Sequence, residues 1–251
     1  MIAVLSPAKT FATLSVEIPQ TTEPHFARDA AKLARAAAKL SPDTLQSLMH
    51  ISPALGAMNA TRYKSFGKQD ARPAIAAFDG DVYRGLDAPT LSPAALVFAD
   101  GHLRFLSGLY GLLRPTDAIR PYRLEMGTGW APNADDLYGF WKRRLAARLE
   151  AELEAEGSGV VLNLASKEYW QALGPRLRKS VRVVTVDFRD AGPRGLRFNT
   201  FVAKKARGAM ARLMCERGAT DPGELHDFDY AGHSFDEAAS DADTLHFVRR
   251  T

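Results

Sequence analysis

Two segments of this sequence place a hydroxyl group and a lysine directly after a short apolar run. Residues 2–5, IAVL, lead into Ser6-Pro7-Ala8-Lys9-Thr10, and residues 160–164, VVLNL, lead into Ala165-Ser166-Lys167. Such runs predict buried strands of an α/β sheet, whose ligands bind beyond the carboxyl ends of the strands. A helix starting there adds backbone N–H groups for an anion. The segments predict an anion site with these members: Ser6, Lys9, Thr10, Ser166 and Lys167.

The same pattern has a purely structural interpretation, in which the serines cap helices and the lysines are solvated. Residue types alone leave both interpretations open. Neither segment has the spacing of a P-loop, and the chain has no glycine-rich phosphate fingerprint. Nucleotide hydrolysis is therefore not favoured.

Charge is distributed unevenly along the 251 residues, although the net charge is only +4. Residues 171–215 carry 11 basic and 2 acidic side chains, whereas residues 216–251 carry 3 basic and 9 acidic ones. A basic block of this density favours phosphate-bearing partners. Within it, Lys204, Lys205 and Arg207 fall on a predicted helix and are candidate phosphate contacts. Alternatively, the acidic tail neutralises the block, or these cations form an ordinary solvated helix face.

Two further segments have patterns known from DNA-binding turns. Residues 106–115, LSGLYGLLRP, predict a helix that enters a tight turn, as in helix-hairpin-helix elements, which offer backbone N–H groups to a DNA phosphate. That interpretation makes Gly108, Gly111 and Arg114 candidate phosphate contacts. Residues 48–56, LMHISPALG, predict two helices joined by a Ser-Pro turn. Either segment could be the hairpin element.

Residues typical of catalysis or metal binding are sparse. Asp81 and Glu125 lie near Tyr83 and Arg123 in polar, glycine-flanked segments, so they are candidate general acids or bases. Ion-paired structural carboxylates are the commoner alternative. The six histidines lack metal-ligand spacing, and the lone Cys215 excludes a cluster of thiolate ligands. We therefore predict no metal site and no cofactor.

Periodicity predicts a single α/β domain over residues 1–251, with a mixed central sheet surrounded by helices. Strands are expected at residues 2–5, 160–164, 181–188, 196–203 and 245–248. Helices are expected at 26–40, 42–49, 93–106, 136–156 and 204–217, several of them started by a Ser-Pro pair. No run reaches the roughly 20 apolar residues of a membrane span, and no secretory signal is recognisable. A cytoplasmic protein is therefore expected.

Several of these segments together resemble the YaaA family of bacterial peroxide-stress proteins. In chain order they are SPAKT (6–10), FDGDVYRGL (78–86), LSGLYGLLRP (106–115), PYRLEMG (121–127), LYGFW (137–141), NLASKEY (163–169) and AKKARG (203–208). The order and length of these matches make chance agreement very unlikely. The chain departs from the family pattern at Gly232-His233, where the family usually has Gly-Tyr.

The resemblance implies an α/β fold with a basic cleft and a helix-hairpin-helix-like element. It also implies duplex DNA binding and a role in limiting oxidative DNA damage and free intracellular iron. The leading hypothesis is therefore a largely sequence-independent, non-enzymatic DNA-binding protein. Its candidate DNA- or anion-binding residues are Ser6, Lys9, Thr10, Gly108, Gly111, Arg114, Arg123, Ser166, Lys167, Lys204, Lys205 and Arg207. An enzyme acting on a nucleotide or nucleobase-like ligand at a Ser/Lys/Asp pocket is the alternative, and direct iron sequestration is a weaker third.

Overall fold

The computed structural model describes residues 1–12, 20–193 and 195–250. Its helices are α1 (Ala27–Ala37), α2 (Pro42–Met49), α3 (Pro53–Lys64), α4 (Ala74–Ala77), α5 (Asp81–Leu86), α6 (Pro93–His102), α7 (Leu137–Trp141), α8 (Arg144–Glu156), α9 (Lys167–Leu173) and α10 (Thr200–Arg217). Its strands are β1 (Ile2–Leu5), β2 (Thr10–Phe11), β3 (Arg72–Pro73), β4 (Phe78–Asp79), β5 (Leu103–Ser107), β6 (Gly111–Leu113), β7 (Ala118–Ile119), β8 (Val160–Asn163), β9 (Arg182–Gly192), β10 (Gly195–Arg197), β11 (His233–Phe235) and β12 (Thr244–Arg249).

Eight of these strands form one mixed sheet in the order β11-β12-β9-β8-β1-β5-β6, with β10 paired to β9. Strands β12, β9, β8, β1 and β5 are parallel, and β6 and β11 are antiparallel edges. Every residue of β1 and β5 is buried, which explains the continuous apolar character of β1, whereas β5 also buries Arg104 and Ser107. The single α/β domain with a mixed central sheet is thus confirmed.

The strands that follow β1 in the chain are added first on one side of β1 and later on its other side. After β1 it builds β5 and β6 on one side, and afterwards β8, β9 and β12 on the other. The boundary between β1 and β8 is therefore a topological switch point, where crevices beyond the carboxyl ends of strands occur. It is also where the two predicted strand-end segments meet.

Ser-Pro pairs start three helices, as the sequence indicates. Ser41, Ser52 and Ser92 each accept a hydrogen bond from a backbone N–H of the first turn of α2, α3 and α6. The proline that follows occupies the first helical position, where its missing N–H costs nothing. The predicted starts of α2 and α6 are confirmed.

The predicted helix over residues 93–106 is wrong in its last turn. α6 ends at His102, and Leu103–Ser107 forms strand β5, buried between β1 and β6. Pairing with two neighbouring strands overrides the local helical pattern. Residues 103–113 are therefore a β-hairpin, and a helix-hairpin-helix element is not confirmed there.

Residues 48–56 join α2 to α3, as predicted. His50 adopts a left-handed conformation with φ 50°, and α3 begins at Pro53. Gly56 lies within α3, where an added Cβ atom would come within 2.7 Å of the Pro42 carbonyl oxygen. Its role is close helix packing, and this helix pair is likewise not confirmed as a DNA-binding hairpin.

Two other predicted elements need correction. The expected helix over 136–156 is interrupted at Lys142, whose φ of 43° separates α7 from α8. The expected strand over 196–203 ends at Arg197, and α10 begins at Thr200 because Asn199 accepts the Val202 N–H as an N-cap. Within the described ranges, no helix has both the length and the apolar character needed to cross a bilayer.

Candidate functional site

Ser6 and Ser166 meet at the switch point, at the carboxyl ends of β1 and β8. The pairing of Val4 with Asn163 sets the register of the two strands. The Ser6 hydroxyl accepts the Ser166 N–H at 2.9 Å and donates to the Ser166 hydroxyl at 3.2 Å. Sequence reasoning predicted these two residues as one site, and the structure brings them into contact.

Lys9 and Arg123 converge on a single carboxylate beside this pair. The Glu125 Oε1 atom lies 3.7 Å from Lys9 Nζ and 2.5 Å from Arg123 Nε. Lys9 remains 69% exposed, whereas Arg123 and Glu125 are each only 15% exposed. The other carboxylate oxygen of Glu125 is buried without a hydrogen-bond partner among the described residues. An anion can therefore be attracted by Lys9, while Glu125 opposes any anion that enters more deeply.

A second acidic residue ties the Glu125 segment to α9. Glu168 Oε1 accepts the Gly127 N–H at 2.9 Å, and the Glu168 carbonyl accepts the Tyr138 hydroxyl at 3.0 Å. Behind them, burial raises the pKa of Tyr169 well above its ordinary value, so this phenol is neutral at physiological pH. These contacts hold the segment rigidly, although no spacing in the sequence indicates that Glu168 and Gly127 are partners.

The space between these residues is small. The cavity lined by Lys9, Arg123, Glu125 and Tyr169 encloses about 10 Å³, room for about one water molecule. Ligand pockets for nucleotide-sized molecules typically enclose about 300 Å³ or more. The arrangement is thus a polar surface with an exposed lysine rather than a deep pocket.

Helix α10 reaches the same region through α5. An added Cβ atom at Gly85 would lie 2.1 Å from the Lys205 carbonyl oxygen, and one at Gly208 would lie 1.8 Å from the Val82 carbonyl oxygen. Only glycine permits this backbone approach. From α5, the Tyr83 hydroxyl donates to the Ser6 carbonyl at 3.2 Å. The exposed Lys204 and Lys205 are thereby connected to the switch point by direct packing.

Arg207 differs from its two lysine neighbours because it is largely buried. Its Nε atom is buried without a hydrogen-bond partner in the described part of the chain. Burial lowers the pKa of Arg207, an effect that the nearby Asp187 opposes. Its guanidinium lies 5.9 Å from the ring centre of Phe198. Arg207 therefore packs beside Phe198, whereas Lys204 and Lys205 face solvent.

The remaining predicted residues are placed as follows. Lys167 is exposed at the start of α9, and the Thr10 hydroxyl donates to the Asp79 carbonyl. Arg114 follows the antiparallel strand β6 and lines a separate cavity of about 120 Å³ with Arg148.

Asp81 faces Arg84, with Oδ1 3.8 Å from its NH1 atom, and does not reach the Glu125 cluster through any contact described here.

Gly108 and Gly111 are buried within the hairpin. A Cβ atom at Gly108 would lie 2.3 Å from the Leu124 carbonyl oxygen, and the Gly108 carbonyl accepts the Trp141 indole N–H at 3.0 Å. Gly111 has φ 75°, and its Cα hydrogens face Trp141 and Leu145. Both glycines have structural roles, and their surroundings give a phosphate no access.

Comparison with known proteins identifies the family of the chain. Residues 1–239 match the family described as peroxide stress protein YaaA. The chain belongs to the YaaA family. A UPF0246 protein of Rhizorhabdus wittichii is 51% identical over 251 residues, covering 99% of both chains. UPF0246 proteins of Ralstonia nicotianae and Burkholderia thailandensis are 45% and 46% identical, each covering 100% of this chain and 99% of their own length.

The single cysteine of this YaaA family member is not placed for redox chemistry. Cys215 is buried in α10 with 2% exposure, and burial raises its pKa to about 12. The thiolate is the species that peroxides oxidise. At physiological pH Cys215 is protonated and shielded, so it does not present the thiolate that peroxides oxidise.

Proposed function

We propose that this YaaA family member acts in the peroxide stress response by binding duplex DNA through its phosphate backbone, with little sequence preference, and thereby limits oxidative damage to the DNA. The observation that supports the proposal is a set of four exposed lysines. Lys9 and Lys167 follow the adjacent strands β1 and β8, and Lys204 and Lys205 lie on the first turns of α10. Several exposed cations suit a polyanion such as DNA.

Association with DNA is tested by its salt dependence. Each phosphate contact releases counterions, so the logarithm of the affinity should fall linearly with that of the salt concentration, by about 0.9 per contact. Lys204→Gln combined with Lys205→Gln should flatten this slope by about two units for unrelated duplex sequences. Both side chains are exposed, so the double variant should remain folded.

A matched control makes the test specific. Lys39→Gln with Lys179→Gln removes the same charge from exposed positions outside α10: Lys39 lies between α1 and α2, and Lys179 precedes the amino end of β9. Fluorescence anisotropy with labelled duplexes should show an almost unchanged slope for this control. Absence of duplex binding by the wild-type protein, or equal slopes for the two double variants, would reject the proposal.

The associated effect on free iron is proposed to be indirect. Within the described ranges, no group of three or more histidine, cysteine, aspartate or glutamate side chains is arranged to hold a metal ion. Elemental analysis of desalted protein tests the proposal. Near-stoichiometric retained iron would contradict it.

A second candidate function is an enzyme acting on a nucleotide or nucleobase-like ligand. The observation that favours it is the buried, unpartnered Glu125 oxygen beside Lys9 and Arg123, since buried titratable groups are common at catalytic sites. Thermal shift assays with nucleoside monophosphates and free nucleobases test it. A shift that the wild-type protein shows and Glu125→Gln lacks would support this candidate over phosphate-backbone binding.

A further inference from the structure

Exposed apolar side chains are concentrated at the start of α10 and in the strand before it. In the described part of the chain, five large hydrophobic side chains are exposed: Met58 (39%), Val97 (76%), Leu196 (43%), Phe198 (47%) and Phe201 (74%). The last three fall within six residues. Two of these three side chains are aromatic. The solvation of an ordinary helix end does not require such a concentration of exposed apolar side chains.

Phe198 is held in place by cations. The Arg189 guanidinium lies 5.5 Å from its ring centre, and that of Arg207 lies 5.9 Å away. Arg189 is itself fixed by Asp187, whose Oδ2 lies 2.7 Å from its NH2 atom. Cation–π contacts at these distances orient the ring. Nearly half of the Phe198 side chain nevertheless remains open to solvent.

Phe201 lies in the first turn of α10 and has no ring partner among the described residues. Lys204 and Lys205 follow it at helical spacings of three and four residues, so they share its face. Both lysines are exposed. Phe201 therefore presents an exposed aromatic ring beside two exposed cations.

The local charge favours an anionic partner over a protein. The nearby acids are already engaged, because Asp187 pairs with Arg189 and Asp190 pairs with Arg249, whose NH2 atom lies 2.9 Å from its Oδ2. The cations Arg197, Lys204 and Lys205 remain exposed around the rings. Centres of protein–protein interfaces are usually depleted of charge, unlike this surface. Proteins that bind single-stranded nucleic acids instead combine aromatic rings with cations in this way.

We propose that Phe198 and Phe201 form a stacking surface for unpaired nucleobases, while Lys204 and Lys205 contact the phosphates of the same strand. This inference deepens the proposed DNA-binding function and rests on it. It specifies the preferred ligand as DNA with unpaired bases, such as a single strand or a duplex with an open region. The rings tolerate any base, because every base has a π face.

Binding to three labelled oligonucleotides tests the inference: a single strand, the duplex of the same sequence, and the single strand with abasic positions at its centre. Phe201→Ala should weaken binding to the intact single strand about tenfold, and Phe198→Ala should weaken it similarly. Duplex affinity should change less than about twofold. The salt slope of Phe201→Ala should stay that of the wild-type protein, since its phosphate contacts are retained.

Two variants separate stacking from other effects of substitution. Val97→Ala removes an equally exposed apolar side chain from α6 and should bind every oligonucleotide as the wild-type protein does. Phe201→Tyr keeps an aromatic ring and should retain binding to the single strand. Circular dichroism shows whether each variant is folded, and Phe201 is exposed enough that its replacement should not disturb the fold.

Several outcomes would overturn the inference. If Phe201→Ala and Val97→Ala bind the single strand with equal affinity, the Phe201 ring has no role in binding. The same conclusion follows if the abasic and intact single strands bind with equal affinity. If sedimentation velocity shows a dimer that Phe201→Ala abolishes, the surface belongs to a second copy of the chain. In each case salt-dependent duplex binding can persist, and the proposed function then stands. If none of the oligonucleotides binds, the proposed function itself fails.

Discussion

The Ser6 hydroxyl accepts the backbone N–H of Ser166 at 2.9 Å and donates to the hydroxyl of the same residue at 3.2 Å, across 160 residues of sequence. This pair joins the carboxyl ends of β1 and β8 at the switch point. The Tyr83 hydroxyl reaches the same place by donating to the Ser6 carbonyl. These contacts join the two segments in which Lys9 and Lys167 follow β1 and β8.

Ser6→Ala should lower the free energy of unfolding by about 1–2 kcal/mol, because it leaves the half-buried Ser166 N–H without its acceptor. Ser166→Ala removes only a hydroxyl that accepts from Ser6, so its cost should stay below about 1 kcal/mol. Urea unfolding of the two single variants and the double variant measures these values. Equal costs for the two single variants would show that the Ser166 N–H does not depend on Ser6.

Gly208→Ala should destabilise the protein by about 2 kcal/mol or more, since its Cβ atom would come within 1.8 Å of the Val82 carbonyl oxygen and force α10 away from α5. Gly101→Ala is the matched control. Gly101 lies in α6 with nothing within 4 Å of an added Cβ atom, so alanine should be neutral or stabilising by about 0.5 kcal/mol. Thermal unfolding of both variants checks this contrast, and similar melting temperatures would contradict the close crossing.

The sequence predicted the parts of the fold whose signals are local. The Ser-Pro helix starts and the apolar strands β1 and β8 follow from capping chemistry and from burial on both faces of a sheet. Parallel strand ends gather at one edge, so Ser6 and Ser166 could be expected together. Their hydrogen-bond geometry could not, because it depends on register.

The errors have a common physical origin in tertiary context. Leu103–Ser107 pairs with β1 and β6 instead of extending α6, and this pairing buries the turn that contains Gly108. The partnership of Glu168 with Gly127 depends on loop packing with no periodic signature. Exposure of Phe201 was equally hidden, because the alternating pattern over residues 196–203 predicts a strand there, whereas Phe201 lies in the first turn of α10.

Cys215 should resist oxidation in the native protein. Its thiol is 2% exposed and burial raises its pKa to about 12, so the reactive thiolate is nearly absent at pH 7. A thiol reagent such as Ellman's reagent should react slowly with native protein and rapidly after unfolding in urea. Mass spectrometry after treatment with hydrogen peroxide should show unmodified Cys215. Rapid native labelling or a sulfenic acid would contradict its burial.

Stability should fall as the solution is acidified below about pH 7, and His233 should contribute to that fall. His233 is 1% exposed, and burial lowers its pKa even though Nε2 lies 3.4 Å from Asp190 Oδ1. Arg249, which pairs with the same carboxylate, adds to the lowering. The unfolded chain binds a proton at His233 near the ordinary pKa of about 6.5, whereas the folded chain does so only at lower pH.

Between those two pKa values the unfolded state holds the extra proton, so acid favours unfolding. The contribution of His233 is fully present above about pH 7 and is lost as the pH falls towards the folded pKa, with a slope of at most about 1.4 kcal/mol per pH unit. His233→Gln keeps a polar side chain but does not titrate, so its free energy of unfolding should depend less steeply on pH. Urea unfolding at pH 7.5, 6.5 and 5.5 (about one unit apart, spanning the ordinary histidine pKa) compares the two slopes. If the variant shows the same slope as the wild-type protein, His233 is protonated equally in the folded and unfolded states. The pH dependence then arises from other groups, among them His25, because burial also lowers the pKa of His25.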